Sequence, residues 1–382
     1  MGIVTALGSG RPSIREAFLE NRSGIRPLSL FSTSSHPPLP VGEATIPDGA
    51  DNFPRTHRLA LLAAEQAMAN VSAAPDAVVM GVTTGGLSSS EKLLKDQISD
   101  PDMYRRHATG SVAEEISRVY GCRGPALTVS TACSSGAAAL KLALEMLRSG
   151  RAQRILAGGA DSLCRLTYHG FKALQLIDPE GARPLDADRR GMSVGEGAAL
   201  LLLAANEPDR AQAEILGAGL SCDAYHPAAP HPEGAGALRA MQAALDDAGL
   251  RPSDIDYVNL HGTGTKDNDV AEARALTALF GSEMPLLSSV KGASGHSLAA
   301  AGAIEAVMSA ICISEGVVPA NTGCMTPDPA LELTPVMVPV RKKVDTVLSN
   351  SFGFGGNNAS LVLGSPGGQP TPQKQSGTGS LR

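Results

Sequence analysis

Cys133 is the residue of this chain whose position is best suited to covalent chemistry. It lies in TVSTACSSGAAA (residues 128–139), where a β-branched run meets the start of a small-residue helix. The pattern predicts a short buried strand over Ala126–Ser130 and a helix over Ala137–Leu147. A thiol at a helix N-terminus faces unpaired backbone N–H groups, which favour the nucleophilic thiolate. A structural cysteine packed as a small hydrophobe is the alternative that this segment leaves open.

A histidine next to glycines and threonines marks a second segment, NLHGTGT (residues 259–265). His261 follows a predicted strand, and the glycines after it let a ligand approach the backbone closely. The hydroxyls of Thr263 and Thr265 can hydrogen-bond an amide-bearing ligand. A capping turn with a packed histidine remains the alternative for this segment alone.

Lys291 and His296 stand out in a third segment, SVKGASGH (residues 289–296), just before an Ala-rich helix. That helix must be buried, and burial next to it is costly for a lysine and a histidine unless they are paired. Glu305, further along the same helix, is the predicted partner of Lys291. The alternative is a polar cap at the surface.

Phe352 and Phe354 lie among glycines in a fourth segment, NSFGFGGNNAS (residues 350–360), although the whole chain has only 7 phenylalanines. Glycines permit unusual backbone angles and expose N–H groups, as an oxyanion hole requires. An aromatic turn that plugs the core is the alternative. Each of the four segments is a weak signal alone, and their joint presence in this order is a strong one.

The elements that must position these residues follow a βαβ alternation in both halves of the chain. Predicted strands cover Ala77–Met80, Ala126–Ser130, Arg154–Ala157, Ala198–Ala204, Glu214–Gly217, Ile255–Leu260 and Ala359–Leu363, and predicted helices cover Ala137–Leu147, Gly234–Ala248 and Ala301–Ser314. This alternation predicts an α/β fold with mostly parallel sheets covered on both faces. We expect a junction at Asn206–Asp209, an ordered surface loop over residues 33–54 and a disordered tail from Ser365 onward.

Composition narrows the class of protein. The chain has 382 residues, a net charge of −6, 3% aromatic residues and no Trp, so its core must be built from small and aliphatic side chains. The negative charge argues against a nucleic-acid binder. No apolar run is long enough to predict a membrane span, and no signal peptide is recognisable. The six cysteines show no metal-ligand spacing, which predicts free thiols, no bound metal and a reducing cytoplasm.

Taken together, these motifs resemble the β-ketoacyl-[acyl-carrier-protein] synthases of the decarboxylating type I/II class, which have the thiolase-like fold. The resemblance runs from Gly2 to Gly364 and rests on TACSS (131–135), HGTGT (261–265), KGASGH (291–296) and NSFGFGG (350–356), with RPLDADRRG (183–191) and GEG (195–197) in support. It implies two similar βαβ halves, 1–207 and 208–364, in a layered α-β-α-β-α architecture, followed by a disordered tail, 365–382.

The resemblance also implies a role for each site residue. Cys133 attacks an acyl thioester and carries the acyl group, while His261 and His296 donate hydrogen bonds to the carbonyl of a malonyl thioester during its decarboxylation. Lys291, paired with Glu305, orients the histidines and tunes their charge. The N–H groups of Cys133 and Phe354 form the oxyanion hole, Phe354 also acts as a gate, and Thr263 and Thr265 bind the phosphopantetheine arm.

The implied function is a decarboxylating Claisen condensation of malonyl-carrier protein with the acyl group on Cys133, giving 3-oxoacyl-carrier protein in fatty acid, polyketide or polyene synthesis. The enzyme is thus expected to be an acyltransferase without a metal or cofactor of its own, because phosphopantetheine arrives on the carrier protein. The resemblance implies a homodimer, with a heterodimer as the other possibility. Attraction to an acidic carrier needs local positive charge, for which Arg55, Arg58, Arg105 and Arg106 are candidates.

Other members of the superfamily fit the residues less well. Thiolases use a second cysteine as base, and the synthases that prime the pathway carry His and Asn where this chain has two histidines. A non-catalytic chain-length-factor subunit is the main alternative, although such subunits typically lack the nucleophilic cysteine. A cysteine protease leaves the Gly-rich segments unexplained.

Several residues depart from the family pattern. Asn357 stands where Thr is usual, Ala299 where Gly is common, and Met192 where Phe is common, so the walls of the site are expected to differ while the reaction stays the same. The chain is also expected to begin after the family's first β-strand, which implies a start codon upstream or a truncated product.

Overall fold

Two mixed β-sheets with helices between them and on both outer faces make up the fold. The computed structural model describes residues 1–33, 37–47, 53–205 and 211–367. The strands are β1 Gly2–Thr5, β2 Gly8–Ser9, β3 Ile25–Pro27, β4 Pro40–Gly42, β5 Ala77–Gly81, β6 Ala126–Val129, β7 Arg154–Asp161, β8 Gly197–Ala204, β9 Glu214–Cys222, β10 Tyr257–Asn259, β11 Leu286–Ser288, β12 Val317–Val318, β13 Val340–Arg341, β14 Thr346–Gly353 and β15 Asn357–Gly364. The α-helices are α1 Arg11–Leu19, α2 Arg55–Met68, α3 Leu87–Lys95, α4 Gly110–Val119, α5 Ser135–Arg148, α6 Arg165–Ala173, α7 Ala235–Ala248, α8 Lys266–Phe280, α9 Lys291–Ser294 and α10 Ala301–Glu315.

The larger sheet has the strand order β2-β1-β8-β7-β5-β6, and the second has the order β11-β10-β14-β15-β9. Helices α5 and α10 contact strands of both sheets and each other, so they form the central layer. Helices α2 and α4 cover the outer face of the first sheet, and α7 covers the outer face of the second, with α8 packed beside it. This arrangement confirms the predicted layered α/β fold.

Close approach of the two central helices explains their small residues. A Cβ atom on Gly302 of α10 would lie 2.7 Å from the backbone N of Ala137, and one on Gly136 of α5 would lie 2.8 Å from the backbone N of Ala303. Glycine therefore lets these backbones pack at a distance that larger residues prevent. The segment Leu298–Glu315 is apolar and long enough to span a membrane by length and composition, but 83% of it is buried within the protein, as befits a core helix.

The prediction of mostly parallel sheets is wrong, because both sheets are mixed. Parallel pairs join β5 to β6 and β7, and β10 to β11 and β14. The other five pairs of these two sheets are antiparallel. In the second sheet the physical reason is the short connection between β14 and β15: three residues are enough for a hairpin but far too few for the crossover that parallel neighbours need.

Further expectations concern single elements of the fold. Strand β1 is fully buried and pairs with both β2 and β8. The expectation that the chain begins after the family's first strand stays a prediction. Strand β6 is half-buried rather than buried, because it is an edge strand paired only with β5 in the described part of the chain. The predicted junction at Asn206–Asp209 lies outside the described residues, as do parts of the predicted 33–54 loop and most of the predicted tail.

Candidate active site

Cys133 lies in a tight turn between β6 and α5. Ala132 before it has a φ of 54°, in the left-handed region that costs a residue with a Cβ about 1–2 kcal/mol. The hydroxyl of Ser135 accepts a hydrogen bond from the Thr131 N–H at 2.9 Å and thereby ties the strand to the helix. The thiol is thus held two residues before the first turn of α5, and Cys133 is 8% exposed, at the wall of a cavity.

The expectation that the thiolate is favoured at this helix start is wrong, because burial has the larger effect. Burial raises the pKa of the Cys133 thiol to about 12, while the charge of Lys291 and the backbone N–H of Phe354 oppose this increase. Desolvation therefore outweighs the stabilising groups. The thiol is protonated at neutral pH, and a nucleophilic role requires its proton to leave as it reacts.

The hairpin between β14 and β15 brings the glycine-rich segment against this turn. A Cβ atom on Gly353 would lie 2.9 Å from the backbone N of Cys133 and 3.2 Å from that of Ser134, so only glycine permits the contact. The next residue, Phe354, directs its N–H towards the Cys133 sulfur. The backbone nitrogen of Cys133 and the N–H of Phe354 therefore lie close together beside the thiol, and their role as an oxyanion hole stays a prediction.

Neighbours on both sides hold the ring and the turn of Phe354. Its ring packs against that of Phe171 with a centroid distance of 5.8 Å. Asn357, one of the departures from the family pattern, donates a 2.9 Å hydrogen bond to the Phe354 carbonyl. The N–H of Gly355 donates to the carbonyl of Pro227 at 2.7 Å. The predicted gate therefore forms part of a hydrogen-bonded hairpin and contacts an aromatic residue of the first half.

His261 follows β10, and a buried carboxylate fixes the start of its turn. Glu272 of α8 accepts hydrogen bonds from the N–H groups of His261 (2.9 Å) and Gly262 (2.8 Å). Asn350 of β14 donates to the same carboxylate at 3.1 Å. Because Glu272 is 1% exposed, these three donors offset the cost of its burial and tie β10, α8 and β14 together behind the histidine.

His296 comes from a different part of the chain and reaches the same cavity. Its N–H donates to the Ser193 carbonyl at 2.8 Å, and the Gly195 N–H donates to the His296 carbonyl at 2.8 Å, so residues of the first half hold it. The rings of His261 and His296 lie 5.3 Å apart and nearly perpendicular, at 86°. Burial, followed by the charge of Lys291, lowers the pKa of both imidazoles well below the ordinary value. Both rings are therefore neutral at pH 7.

Lys291 and Glu305 form the predicted ion pair. Each is 1% exposed, and the Lys291 Nζ hydrogen-bonds a carboxylate oxygen of Glu305. Burial raises the pKa of the Glu305 carboxyl to about 7, against the opposing effect of Lys291. The pair lies near both histidines and the thiol, since the lysine charge lowers the pKa of all three.

A single cavity of about 340 Å³ connects the predicted groups. Cys133, both histidines and the Phe354 gate line it, together with Thr263 and Thr265, whose hydroxyls hydrogen-bond each other at 2.8 Å. Met192 lines the same wall, whereas Ala299 is fully buried behind it, so only some of the departures touch the cavity. Within the described ranges, no cluster of His, Cys, Asp or Glu has the arrangement of a metal site.

Several supporting residues were missed by sequence reasoning. Glu272 and Asp269 lie three residues apart on α8 and are both buried. Two carboxylates at this spacing on one face of an Ala-containing helix are a sequence pattern from which they could have been predicted. Asp269 accepts hydrogen bonds from the N–H groups of Gly264 and Leu185, which fixes the threonine turn. Asp161, buried at the end of β7, gave no comparable signal in the sequence.

Arg55, which was expected at a surface that binds the carrier protein, forms an ion pair inside the protein instead. Arg55 was a candidate for carrier binding, but its guanidinium forms an ion pair with the fully buried Glu196 and its side chain is only 15% exposed. It is therefore an internal residue that links α2 to the start of β8. The positively charged residues that line the cavity are instead Arg190 and Lys266.

Comparison with known proteins agrees with this geometry. The family profile described as beta-ketoacyl synthase, N-terminal domain, matches residues 1–208, and the C-terminal domain profile matches residues 212–325. A 3-oxoacyl-[acyl-carrier-protein] synthase 2 of Rhizobium meliloti is 36% identical, over 95% of this chain and 96% of its own length.

Solved structures show the same likeness. The ishigamide ketosynthase/chain length factor is 33% identical with a TM-score of 0.91, covering 96% of this chain and 98% of its own. A type II polyketide ketosynthase in complex with its acyl-carrier protein, AntDE:AntF, is 26% identical with a TM-score of 0.86, covering 95% and 97%. The chain therefore belongs to the β-ketoacyl synthase family of acyltransferases, which have the thiolase-like fold.

Proposed function

We propose that this protein catalyses the decarboxylating condensation of an acyl group held on Cys133 with malonyl-carrier protein. The observation that carries the proposal is the convergence of one thiol and two neutral histidines on one cavity, although they come from three distant segments of the chain. The product is a 3-oxoacyl-carrier protein. The phosphopantetheine arm arrives on the carrier, and the reaction as proposed uses no metal or cofactor of the protein's own.

The first step is acyl transfer to the thiol. The Cys133 sulfur attacks the thioester carbonyl of an acyl-carrier protein, the new thioester forms, and the carrier thiol leaves. Because burial keeps the resting thiol protonated, its proton must move to the departing carrier thiol, and a neutral histidine in the cavity can relay it. The N–H groups of Cys133 and Phe354 stabilise the oxyanion.

The second step forms the carbon–carbon bond. His261 and His296, as neutral imidazoles, donate hydrogen bonds to the thioester carbonyl of the malonyl group, CO₂ leaves, and the electron pair remains as an enolate. The enolate carbon attacks the acyl-Cys133 carbonyl, the carbon–sulfur bond breaks, and the thiolate takes up a proton from solvent water. Burial, aided by the charge of Lys291, lowers the pKa of both histidines and keeps them neutral, with Glu305 as the counter-ion of the lysine.

The threonines define the path of the carrier's arm. Thr263 and Thr265 line the cavity with the catalytic groups, so an arm that passes them places its thioester next to Cys133. Arg190 and the exposed Lys266 line the cavity, but Arg190 pairs with Asp178 and Glu180, and Asp223 and Asp267 line the cavity as well. Binding of an acidic carrier protein therefore does not rest on the charge of this cavity. The related AntDE ketosynthase was solved with its acyl-carrier protein, which supports this choice of partner.

A second subunit is expected at strand β6. Among the described residues this edge strand pairs only with β5, and a neighbouring strand would cover its half-buried residues, among them Leu127 and Val129. We expect a second copy of this chain there. The ishigamide ketosynthase pairs with a chain length factor, so a heterodimer is the other outcome, and the molecular mass of the purified protein distinguishes the two. Location in the cytoplasm stays a prediction.

A non-catalytic, chain-length-factor-like role is the alternative function. Such a role needs no intact nucleophile, whereas here Cys133, both histidines and the Lys291–Glu305 pair are all in place. Retention of this complete set favours the condensing enzyme.

The test is the activity of two kinds of variant with malonyl- and acyl-carrier protein. We expect Cys133→Ala to lose condensation, and His261→Ala or His296→Ala to impair malonyl decarboxylation more than acylation of Cys133. Undiminished condensation by Cys133→Ala would refute the assignment. Mass spectrometry of the Cys133 peptide after exposure to carriers of different acyl chain length would then identify the preferred chain.

A further inference from the structure

Asp161 is a fully buried carboxylate that the mechanism above does not use. It ends β7 and is 0% exposed. In the described part of the chain no cation pairs with it, and burial raises the pKa of its carboxyl against the effect of its hydrogen bonds. A buried acid without an ion pair is expensive, so a specific set of donors must keep it in place.

Five donors converge on this carboxylate. Thr83 and Thr84, directly after β5, each donate both the backbone N–H and the hydroxyl, with the N–H groups at 2.9 and 2.7 Å from Oδ1. The fifth donor is the N–H of Ala299, at 2.9 Å from Oδ2. Four donors therefore belong to the first half of the chain, and the fifth belongs to the second half.

Ala299 lies in the turn that follows His296. Leu298 in this turn has a φ of 52°, in the left-handed region that disfavours residues with a Cβ atom. The Ala299 carbonyl packs against two glycines, because a Cβ on Gly136 would be 2.8 Å from it and one on Gly159 would be 3.0 Å from it. The turn thus packs closely against both α5, the helix that follows Cys133, and β7. The hydrogen bond to Asp161 holds the turn in this conformation.

His296 is consequently held from two sides. Upstream, its own backbone pairs with Ser193 and Gly195. Downstream, the chain is held three residues later by the bond between Ala299 and Asp161. We propose that Asp161 is a positioning residue for His296: its carboxylate holds the Ser297–Ala300 turn and so keeps this histidine in register with Cys133 across the junction of the two halves. This inference rests on the proposed role of His296 in decarboxylation.

Asp161→Asn tests the proposal. An amide has one acceptor oxygen and an NH₂ group in place of the second oxygen, so it cannot accept all five hydrogen bonds. Because displacement of a catalytic group by about 1 Å can cost roughly a hundredfold in rate, we expect the kcat of malonyl decarboxylation to fall about ten- to a hundredfold. The KM for malonyl-carrier protein should hold, since Thr263 and Thr265 are untouched. Acylation of Cys133 should change much less.

The control is Asp76→Asn, at a residue that lies directly before β5 and accepts hydrogen bonds at the end of β7 opposite to Asp161. Asp76 accepts hydrogen bonds from the N–H groups of Gln153 and Arg154 at 2.7 and 2.9 Å, far from the cavity. We expect this variant to retain the ratio of decarboxylation to acylation seen in the wild type. CO₂ release, intact-protein mass of the acyl-enzyme and the unfolding temperature are measured for each protein.

The outcomes separate the two proposals. If wild-type protein neither decarboxylates malonyl-carrier protein nor becomes acylated, the proposed function fails. If the wild type does both, and Asp161→Asn changes neither or lowers both equally, Asp161 has no positioning role. Should Asp161→Asn fail to fold, Thr83→Val, which removes one hydroxyl donor and keeps the carboxylate, takes its place. A wild-type ratio in that variant overturns the inference, and a selective loss of decarboxylation supports it.

Discussion

Replacing Gly353 with alanine should slow the acylation of Cys133 while leaving the reactivity of its free thiol towards an alkylating reagent almost unchanged. Gly353 is the last residue of β14, directly before the Phe354 gate, and it touches the backbone of the Cys133 turn. A Cβ atom there would lie 2.9 Å from the Cys133 N, 2.9 Å from the Thr131 carbonyl oxygen and 3.2 Å from the Ser134 N. All three are rigid backbone atoms, so rotation of a side chain cannot relieve the contact.

The size of the effect follows from these distances. Ordinary contacts of a Cβ atom begin at 3.4 Å, so the hairpin must move away from the Cys133 turn by about 0.5 Å, the difference between 3.4 and 2.9 Å. This movement separates the N–H of Phe354 from that of Cys133. Complete loss of one oxyanion-hole donor costs about a hundred- to a thousandfold in kcat, so partial displacement should slow acyl transfer by about ten- to a hundredfold.

The assay compares acylation of Cys133 by acyl-carrier protein with its alkylation by iodoacetamide, which forms no oxyanion. We expect Gly353→Ala to slow acylation strongly and alkylation little. Gly170→Ala is the matched control, because Gly170 lies in α6 and a Cβ there would meet nothing within 4 Å. Acylation of Gly353→Ala at the wild-type rate, with its unfolding temperature unchanged, would refute the reasoning about the oxyanion hole.

Three other predictions follow from the electrostatics of the site. Lys291→Met should lower the free energy of unfolding by about 3–5 kcal/mol, because it leaves the Glu305 carboxyl buried without its counter-ion. Lys291→Met/Glu305→Leu should recover much of that loss in urea unfolding, and an equal loss in both variants would contradict the pairing. Alkylation of Cys133, followed on its own peptide by mass spectrometry, should accelerate about tenfold per pH unit from pH 7 to 10, because burial raises the pKa of the thiol to about 12. A plateau of the alkylation rate below pH 9 would show that the helix start has the larger effect on this pKa. The rate of malonyl decarboxylation should not fall as the pH is lowered through 6.5, the ordinary pKa of histidine, because burial keeps His261 and His296 neutral below that pH. A loss of rate with a midpoint near pH 6.5 would argue against neutral histidines as donors.

Much of the site could be predicted from the sequence, since each functional segment is local. The strand, turn and helix around Cys133 follow from a β-branched run meeting alanines, and the structure places them within two residues of the predicted bounds. Burial of α10 was implied by its own composition, which in turn implied a partner for Lys291. Short-range patterns of this kind depend on residues that are neighbours in the chain, so no knowledge of the tertiary structure is needed.

Tertiary structure alone decided the features that depend on what packs against what. Burial outweighs the helix start at the Cys133 thiol, and it removes Arg55 from the surface by pairing it with Glu196. Strand direction and the half-exposed edge at β6 follow from the pairing of distant strands. The proposed role of Asp161 depends on its hydrogen bond from the Ala299 N–H, which joins the two halves of the chain and cannot be predicted from either segment alone. The sequence by itself thus determined the reacting groups and their local elements, whereas desolvation and contacts between distant segments, which sum over the whole fold, determined their charge and their mutual positions.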